Sequence, residues 1–231
     1  MIKTYIQGFD EALGGGIPEG HVILVSGTPG TMKSSLCSSI LYNNARHDER
    51  KGLYISLEET KESLAKMMKN LGMADIDDKK LFIVDIGRLR LDHKNADQDQ
   101  DWLRVLADYI TRRARDDGIS LIVVDSLTAL YSLIDLKNPR QDLFHFFGLL
   151  KSLGITTFLV SEMMHGTEIF GPYREDFLAD GTFFLKQYEV GETDIQLRIR
   201  CVKMRHANHA RGYFALLHRH GGFMVTRVIS D

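Results

Sequence analysis

A phosphate-binding loop is the most informative chemical feature of this sequence. Residues 27–34 read Gly-Thr-Pro-Gly-Thr-Met-Lys-Ser and follow the apolar run 21–26. In the general pattern G-x-x-x-x-G-K-S/T, backbone amides surround nucleotide phosphates, the lysine reaches the terminal phosphates and the hydroxyl binds magnesium. Lys33 and Ser34 hold these last two positions. The residues expected to contact a nucleotide are Thr28, Pro29, Gly30, Thr31, Met32, Lys33, Ser34 and Ser35.

Met32 stands where this pattern has its second glycine. A glycine lets the backbone approach a nucleotide with no Cβ in the way. Two interpretations are open. If Met32 has right-handed helical backbone angles, its side chain points away from the phosphates and the loop works. If the site is too tight, the loop no longer serves a nucleotide. The intact neighbouring positions favour the working loop.

Phosphoryl transfer also needs a magnesium-side carboxylate and a group that positions the attacking water. Asp125 ends an apolar strand that would deliver it rigidly to the sheet edge of the phosphate loop, and Ser126 could support it. Asp85 has the same local pattern. Glu58 and Glu59 end the strand after the loop helix, where a carboxylate can deprotonate water. The alternative is that both acids simply open a helix whose dipole favours them.

Short apolar strands alternate with amphipathic helices along most of the chain. Strands are predicted at 21–26, 52–57, 81–85, 121–125 and 156–160. Helices are predicted from Ser34, through 64–71 to Gly72, through 103–114 to Gly118, and from Pro139 to Gly154. This alternation predicts an α/β fold with a parallel sheet, helices on its faces and right-handed crossovers.

The pattern changes after residue 182. The strand-like runs 183–188, 195–202, 213–217 and 223–228 are separated by glycines. They predict antiparallel hairpins that extend one edge of the sheet. The polar stretch 92–101 is predicted to be a solvated loop.

Composition narrows the class of protein. The 231 residues include four prolines and form no low-complexity linker, which predicts one domain over 1–231. The net charge of −2 gives no global basic field, so DNA is not an expected partner. The two cysteines, Cys37 and Cys201, are expected to be buried thiols in a reducing compartment. No apolar run is long enough to span a bilayer, and a cytoplasmic location is expected. No cysteine or acidic residue stands at ligand spacing from His206, His209, His218 and His220, so metal binding by these histidines is not expected.

Several segments together resemble a KaiC-family domain of the RecA superfamily, and the resemblance covers nearly the whole chain. It rests on Gly8–Gly20, the phosphate loop, Tyr54–Glu59, Ile122–Leu127, Leu178–Gly181, and Val202–Arg205 with His209. The resemblance implies a RecA-like P-loop NTPase fold and an ATPase that uses ATP and Mg²⁺. It further implies that Glu58 or Glu59 is the catalytic base, and that Asp125 rather than Asp85 ends the Walker B strand.

The resemblance also implies a homo-oligomer, with a hexameric ring as one form, in which neighbouring subunits share each ATP. Lys203, Arg205 and His209 would then reach the γ-phosphate of the neighbour's nucleotide. Strand alternation puts Lys203 and Arg205 on one face. Cations that arrive in trans stabilise charge only when the interface is closed. The alternative is a solvated basic edge strand. Glu162 lies where RecA-like domains carry a γ-phosphate sensor, although an acid is an unusual sensor.

The expected activity is slow, magnesium-dependent ATP hydrolysis coupled to subunit contacts or to an unidentified protein partner. Two alternatives belong to other classes: an ATP-gated scaffold that lacks turnover because of Met32, and a RadA-like DNA-binding ATPase. Some KaiC domains also phosphorylate their own hydroxyls shortly before the late Ala-Asp motif. Here Asp176 and Phe177 lie nearby, which weakens that hypothesis and leaves Thr182 or Tyr173 as acceptors.

Overall fold

The computed structural model describes residues 1–74, 77–86, 102–134, 136–163, 166–167 and 169–228. Its strands are β1 Val22–Gly27, β2 Gly52–Ser56, β3 Leu81–Asp85, β4 Leu121–Asp125, β5 Thr156–Glu162, β6 Gly181–Val190, β7 Asp194–Met204, β8 Phe214–Arg219 and β9 Gly222–Arg227. Within the described residues they form one nine-stranded sheet in the order β3-β2-β4-β5-β1-β6-β7-β8-β9. The predicted strands are all present.

The sheet is parallel from β3 to β6 and antiparallel from β6 to β9. Strand β1 pairs in parallel with β5 and β6, and β2 pairs in parallel with β3 and β4. The pairs β6–β7, β7–β8 and β8–β9 are antiparallel. Every residue of β1 and β2 is buried, as expected for parallel strands covered on both faces. The predicted α/β fold with C-terminal antiparallel hairpins is confirmed.

The helices are α1 Phe9–Ala12, α2 Lys33–His47, α3 Lys61–Asn70, α4 Trp102–Asp117, α5 Leu127–Leu133, α6 Pro139–Ser152 and α7 Glu175–Leu178. Local signals explain where two of them begin. The Thr60 side chain accepts a hydrogen bond from the Ser63 amide at 3.2 Å and so caps α3. Pro139 stands in the first turn of α6, as predicted. The short helices α1, α5 and α7 were not predicted.

Two hydrophobic cores lie on opposite faces of the sheet. One contains Val25 of β1 and Ile40 of α2. The other contains Leu24 of β1 and Phe147 of α6. Because successive side chains of β1 enter different cores, this strand is fixed on both faces and holds the loop that follows it rigidly.

Three sequence predictions concern other parts of the molecule. The stretch 92–101 lies outside the described residues. Among the helices that are described, none is long and apolar enough to cross a membrane. Cys37 and Cys201 are both buried free thiols, as predicted.

Candidate functional site

The phosphate loop joins β1 to α2 at the carboxyl edge of the parallel strands. At Gly27, a Cβ atom would lie 2.4 Å from the carbonyl oxygen of Leu185 and 2.8 Å from Oγ1 of Thr31. A glycine is therefore needed for β6 to pass so close. The Thr31 hydroxyl donates to the carbonyl of Thr28 at 2.8 Å, and the Lys33 ammonium donates to the same oxygen at 3.0 Å. These two hydrogen bonds tie the end of the loop to the backbone at its beginning.

The start of α2 presents groups that suit an anion. Lys33, Ser34 and Ser35 belong to its first turn, where amides have no intrahelical acceptor. Such amides and the helix dipole favour phosphate. Burial lowers the pKa of Lys33, while the carboxylates of Glu162 and Asp125 act in the opposite direction. A single, nearly buried ammonium group thus lies among carboxylates at the mouth of the loop.

Met32 adopts a left-handed conformation, with φ 64° and ψ 28°, so the right-handed alternative is wrong. Its carbonyl accepts the hydrogen bond of the Leu36 amide at 2.9 Å and so begins α2. Its side chain packs against the hydrophobic core that includes Leu36. A glycine would adopt these angles without strain, whereas a methionine pays about 1–2 kcal/mol. The side chain of Met32 thus packs on the core, and its backbone has the left-handed angles that a glycine adopts easily at this position.

Asp125 and Glu58 are each held by a hydroxyl group from a neighbouring strand or helix end. The buried phenol of Tyr54 donates to Oδ2 of Asp125. Burial and the charge of Asp125 raise the pKa of Tyr54, so the phenol stays a donor. Ser126 donates to Oε1 of Glu58 at 3.1 Å and accepts the amide of Ala129 at 3.1 Å, which caps α5. Ser126, which was expected to support Asp125, is instead bonded to Glu58.

Sheet order separates Asp125 from Asp85. Both aspartates are aligned with Ser56 on β2, one from each side. Strand β4 lies two positions from β1, or ~10 Å, whereas β3 lies four positions away, or ~19 Å. Both aspartates lie at the carboxyl edge of the sheet, and Asp125 is the nearer of the two to the phosphate loop.

The structure also separates the two glutamates. Burial raises the pKa of Glu58, and the nearby charges of Glu162 and Asp125 act in the same direction. Glu59 instead accepts a hydrogen bond from the Ser63 hydroxyl at 2.8 Å, on the first turn of α3. Glu58 thus lies among the charges of the site, and Glu59 is bonded to the helix that follows. The identity of the base stays a prediction.

The donor set fits magnesium bound together with a nucleotide. Magnesium takes one or two protein carboxylates and fills its octahedron with water and substrate phosphates. Ser34 and Asp125 would supply a hydroxyl and one carboxylate. In the described part of the chain, no group of three or more His, Cys, Asp or Glu residues is arranged to hold a metal alone. The protein therefore offers a site that a nucleotide would complete.

Lys203 and Arg205 lie at the opposite edge of the sheet from the phosphate loop. Lys203 is aligned with Thr182, at the start of β6, and Arg205 follows the end of β7. Strand β1 has six residues and separates the two edges by ~17 Å. These cations therefore cannot serve the phosphate loop of their own chain.

Both cations are held by the segment 176–180. Lys203 donates to the carbonyls of Asp176 at 2.8 Å and Ala179 at 2.6 Å. Arg205 donates to the Asp180 carboxylate at 3.0 Å and the Phe177 carbonyl at 3.1 Å. Because both side chains reach the same segment, they lie on one face. Burial lowers the pKa of Lys203 to about 8, and the neighbouring guanidinium adds to this effect.

Three further predicted residues have defined positions. His209 has a buried Nε2 atom without a hydrogen-bond partner among the described residues. Glu162 ends β5 beside Gly27, and its amide donates to Thr128 at 3.2 Å. Thr182 is 1 % exposed, so its hydroxyl is not open to phosphorylation in this conformation.

Sequence reasoning missed two residues that organise the site, Tyr54 and Asp180. Tyr54 lies on β2, and only the pairing of β2 with β4 brings it to Asp125. Asp180 accepts the Val22 amide at 3.1 Å and pairs with Lys151 at 2.8 Å as well as with Arg205. The Leu-Ala-Asp-Gly motif was visible, but its role in holding Arg205 was not.

Comparisons with known proteins agree over almost the full chain. A sequence model of the KaiC ATPases matches residues 2–226. A UPF0273 protein of Thermotoga maritima is 32% identical over 220 residues, which cover 90% of this chain and 88% of that protein. The circadian clock oscillator protein KaiC 1 of Synechocystis is 30% identical over 233 residues, or 97% of this chain. The chain spans only 44% of the length of that clock protein.

A solved structure shows the same architecture. A KaiC-like protein from the hyperthermophilic archaeon Pyrococcus horikoshii OT3 superposes with a TM-score of 0.82 at 25% identity. The match covers 98% of both chains.

Proposed function

This chain belongs to the KaiC family of ATPases, and on that basis we propose that it hydrolyses ATP slowly, with magnesium, at sites shared between identical subunits. Each site would combine the phosphate loop of one subunit with Lys203, Arg205 and His209 of its neighbour. Nucleotide state would thereby control how subunits assemble or what they present to a partner protein.

The observation that carries this proposal is the separation of the two halves of the site. The phosphate loop lies at the carboxyl edge of β1, and the cations lie at its amino edge. Phosphoryl transfer needs positive charge near the γ-phosphate beyond the loop lysine. Lys203 and Arg205 cannot supply that charge to the loop of their own subunit, whereas a head-to-tail contact brings them to the loop of a neighbour and closes into a ring when the rotation allows.

Within one site, each residue has a defined task. Lys33 and the first-turn amides of α2 bind the phosphates. Ser34 and Asp125 would hold magnesium, which neutralises phosphate charge when bound. Glu58, held by Ser126, takes the proton of the attacking water. Tyr54 keeps the Asp125 carboxylate oriented.

The experiment is phosphate release from MgATP at increasing chain concentration, with sedimentation run in parallel. Turnover per chain should rise as assemblies replace monomers, because cations supplied in trans contribute about 10³–10⁵ in rate in related reactions. Monomers that hydrolyse ATP as fast as assemblies would refute the shared site.

A further inference from the structure

One face of the C-terminal hairpins carries a row of cations and aromatic rings, which we call the cation–aromatic face. Its residues are Phe184, Lys186, Tyr188, Arg198, Arg200 and Tyr213. Side chains alternate along a strand, and Phe184 is aligned with Arg200 while Lys186 is aligned with Arg198. The core residues Leu185 and Ile199 point to the other face. The row therefore lies on the face opposite that core, where Phe184 is buried and the other five residues are partly or well exposed.

The cations of this face rest on aromatic rings. The Arg198 guanidinium lies 3.4 Å from the centroid of the Tyr188 ring. The Lys186 ammonium lies 4.0 Å from the centroid of Tyr213, and the Arg200 guanidinium lies 4.8 Å from the same ring. Cation–π contacts of this kind orient the cations without neutralising their charge.

The charge of this face is not compensated. Lys186 and Arg198 stand directly opposite each other, which is unfavourable for like charges. Among the described residues, no carboxylate forms an ion pair with Lys186, Arg198 or Arg200. Nε of Arg200 is buried and has no hydrogen-bond partner there either. Three positive charges and an unused donor thus converge on one small area, although the chain as a whole is slightly acidic.

We propose that the cation–aromatic face binds single-stranded nucleic acid, with phosphates on the cations and bases stacked on the rings. Proteins that bind single strands combine a basic surface with aromatic side chains and guanidinium planes on which bases stack. Tyr188 is 43% exposed and offers such a ring. Side chains on this face repeat every ~7 Å along each strand, a spacing that an extended nucleic-acid strand can follow. An acidic peptide would use the charges but not the rings.

The proposal does not rest on the proposed ATPase activity, and it is tested by fluorescence anisotropy with labelled oligothymidylate and oligouridylate of about 20 nucleotides. Neutralising three phosphates gives a slope of about −2 in log K against log salt, so affinity should fall about 20-fold between about 50 and 200 mM NaCl. The triple variant Lys186→Gln, Arg198→Gln, Arg200→Gln should lose binding. Tyr188→Ala should weaken it by roughly 5- to 150-fold.

A matched control separates local from overall charge. Lys61, Lys66 and Lys69 are exposed on α3, and changing all three to Gln alters the net charge by the same amount. This control should bind within about twofold of the wild type, because α3 carries no such ring cluster. Circular dichroism melting of each variant establishes that it is folded.

Several results would overturn the proposal. One is no binding by folded wild-type chain at the lower salt. Others are equal losses in the two triple variants, or equal affinity for a duplex of the same length. A further contrary result is that polyglutamate binds as tightly as the oligonucleotides and that Tyr188→Ala leaves its affinity unchanged. That result would assign the face to an acidic protein segment instead.

Discussion

Replacing Met32 with glycine tests how the phosphate loop works with a methionine in it. The left-handed backbone at φ 64° costs a methionine about 1–2 kcal/mol, which glycine would recover. The glycine variant also loses the partly buried contact of the methionine side chain, which is worth about 1 kcal/mol. It loses a further amount of about 0.4–1 kcal/mol because glycine gives the unfolded chain more conformational freedom. These contributions offset each other, so the free energy of unfolding should change by less than about 1 kcal/mol.

Alanine at the same position separates the two effects. Met32→Ala keeps the strained backbone and loses the core contact, so it should destabilise the chain by about 1 kcal/mol. Met67 also packs partly buried against the same core, away from the loop, and Met67→Ala is the matched control for that contact. Urea unfolding measures all three variants.

The same variants report on nucleotide binding through calorimetric titration with MgATP. Because the thioether packs on the core, Met32→Gly should change the ATP dissociation constant by less than about threefold. An affinity gain of about tenfold, or about 1.4 kcal/mol, would show that the methionine obstructs the phosphates and would refute this reasoning.

Three further predictions concern the carboxylates. Glu58→Gln should lower ATP turnover by about 10²–10⁴-fold and keep ATP binding, while the control Glu59→Gln should turn over within about threefold of the wild type. If single-turnover assays show the larger loss for Glu59→Gln, the base is Glu59. As the proposed base, Glu58 would act only when ionised. Burial raises its pKa and the charge of Glu162 adds to this, so Glu162→Gln should move the acid limb of the pH–rate profile to lower pH. An unmoved limb or a shift to higher pH contradicts this. Tyr54→Phe removes the hydroxyl that donates to Asp125 and should cost about 1.5–3 kcal/mol in urea unfolding, so an unchanged midpoint would show that the bond contributes nothing.

Local patterns explain what the sequence predicted well. The strands were predictable because their apolar runs are bounded by glycine and acidic residues, and the phosphate loop because its spacing is continuous in the chain. The expectation that Asp125 lies at the edge of that loop followed from the rule that parallel strands end at a shared edge, and its preference over Asp85 came from the family resemblance.

Features that depend on pairing were not predictable. The contact of Tyr54 with Asp125 requires knowing that β2 lies next to β4. The cation–aromatic face requires the register of β6 on β7, which no local signal gives. Helix α5 begins one residue after β4, so its apolar residues could not be distinguished from the end of the strand by pattern. Ser126, a residue type that favours the N-cap of a helix, was the one local sign of its start. The left-handed angle at Met32 is imposed by the loop against the residue's own preference.

The shared site is tested most directly by mixing two inactive variants, Lys33→Ala and Arg205→Ala. The Lys33→Ala variant keeps Arg205, which serves its neighbour, and the Arg205→Ala variant keeps the loop lysine. An interface is complete only when the two variants meet in one of four equally frequent arrangements, so a random equal mixture restores about a quarter of head-to-tail interfaces. The mixture should therefore recover about a quarter of wild-type ATP turnover, while each variant alone stays inactive. A co-assembled mixture that remains as inactive as its parents would contradict sites formed between subunits.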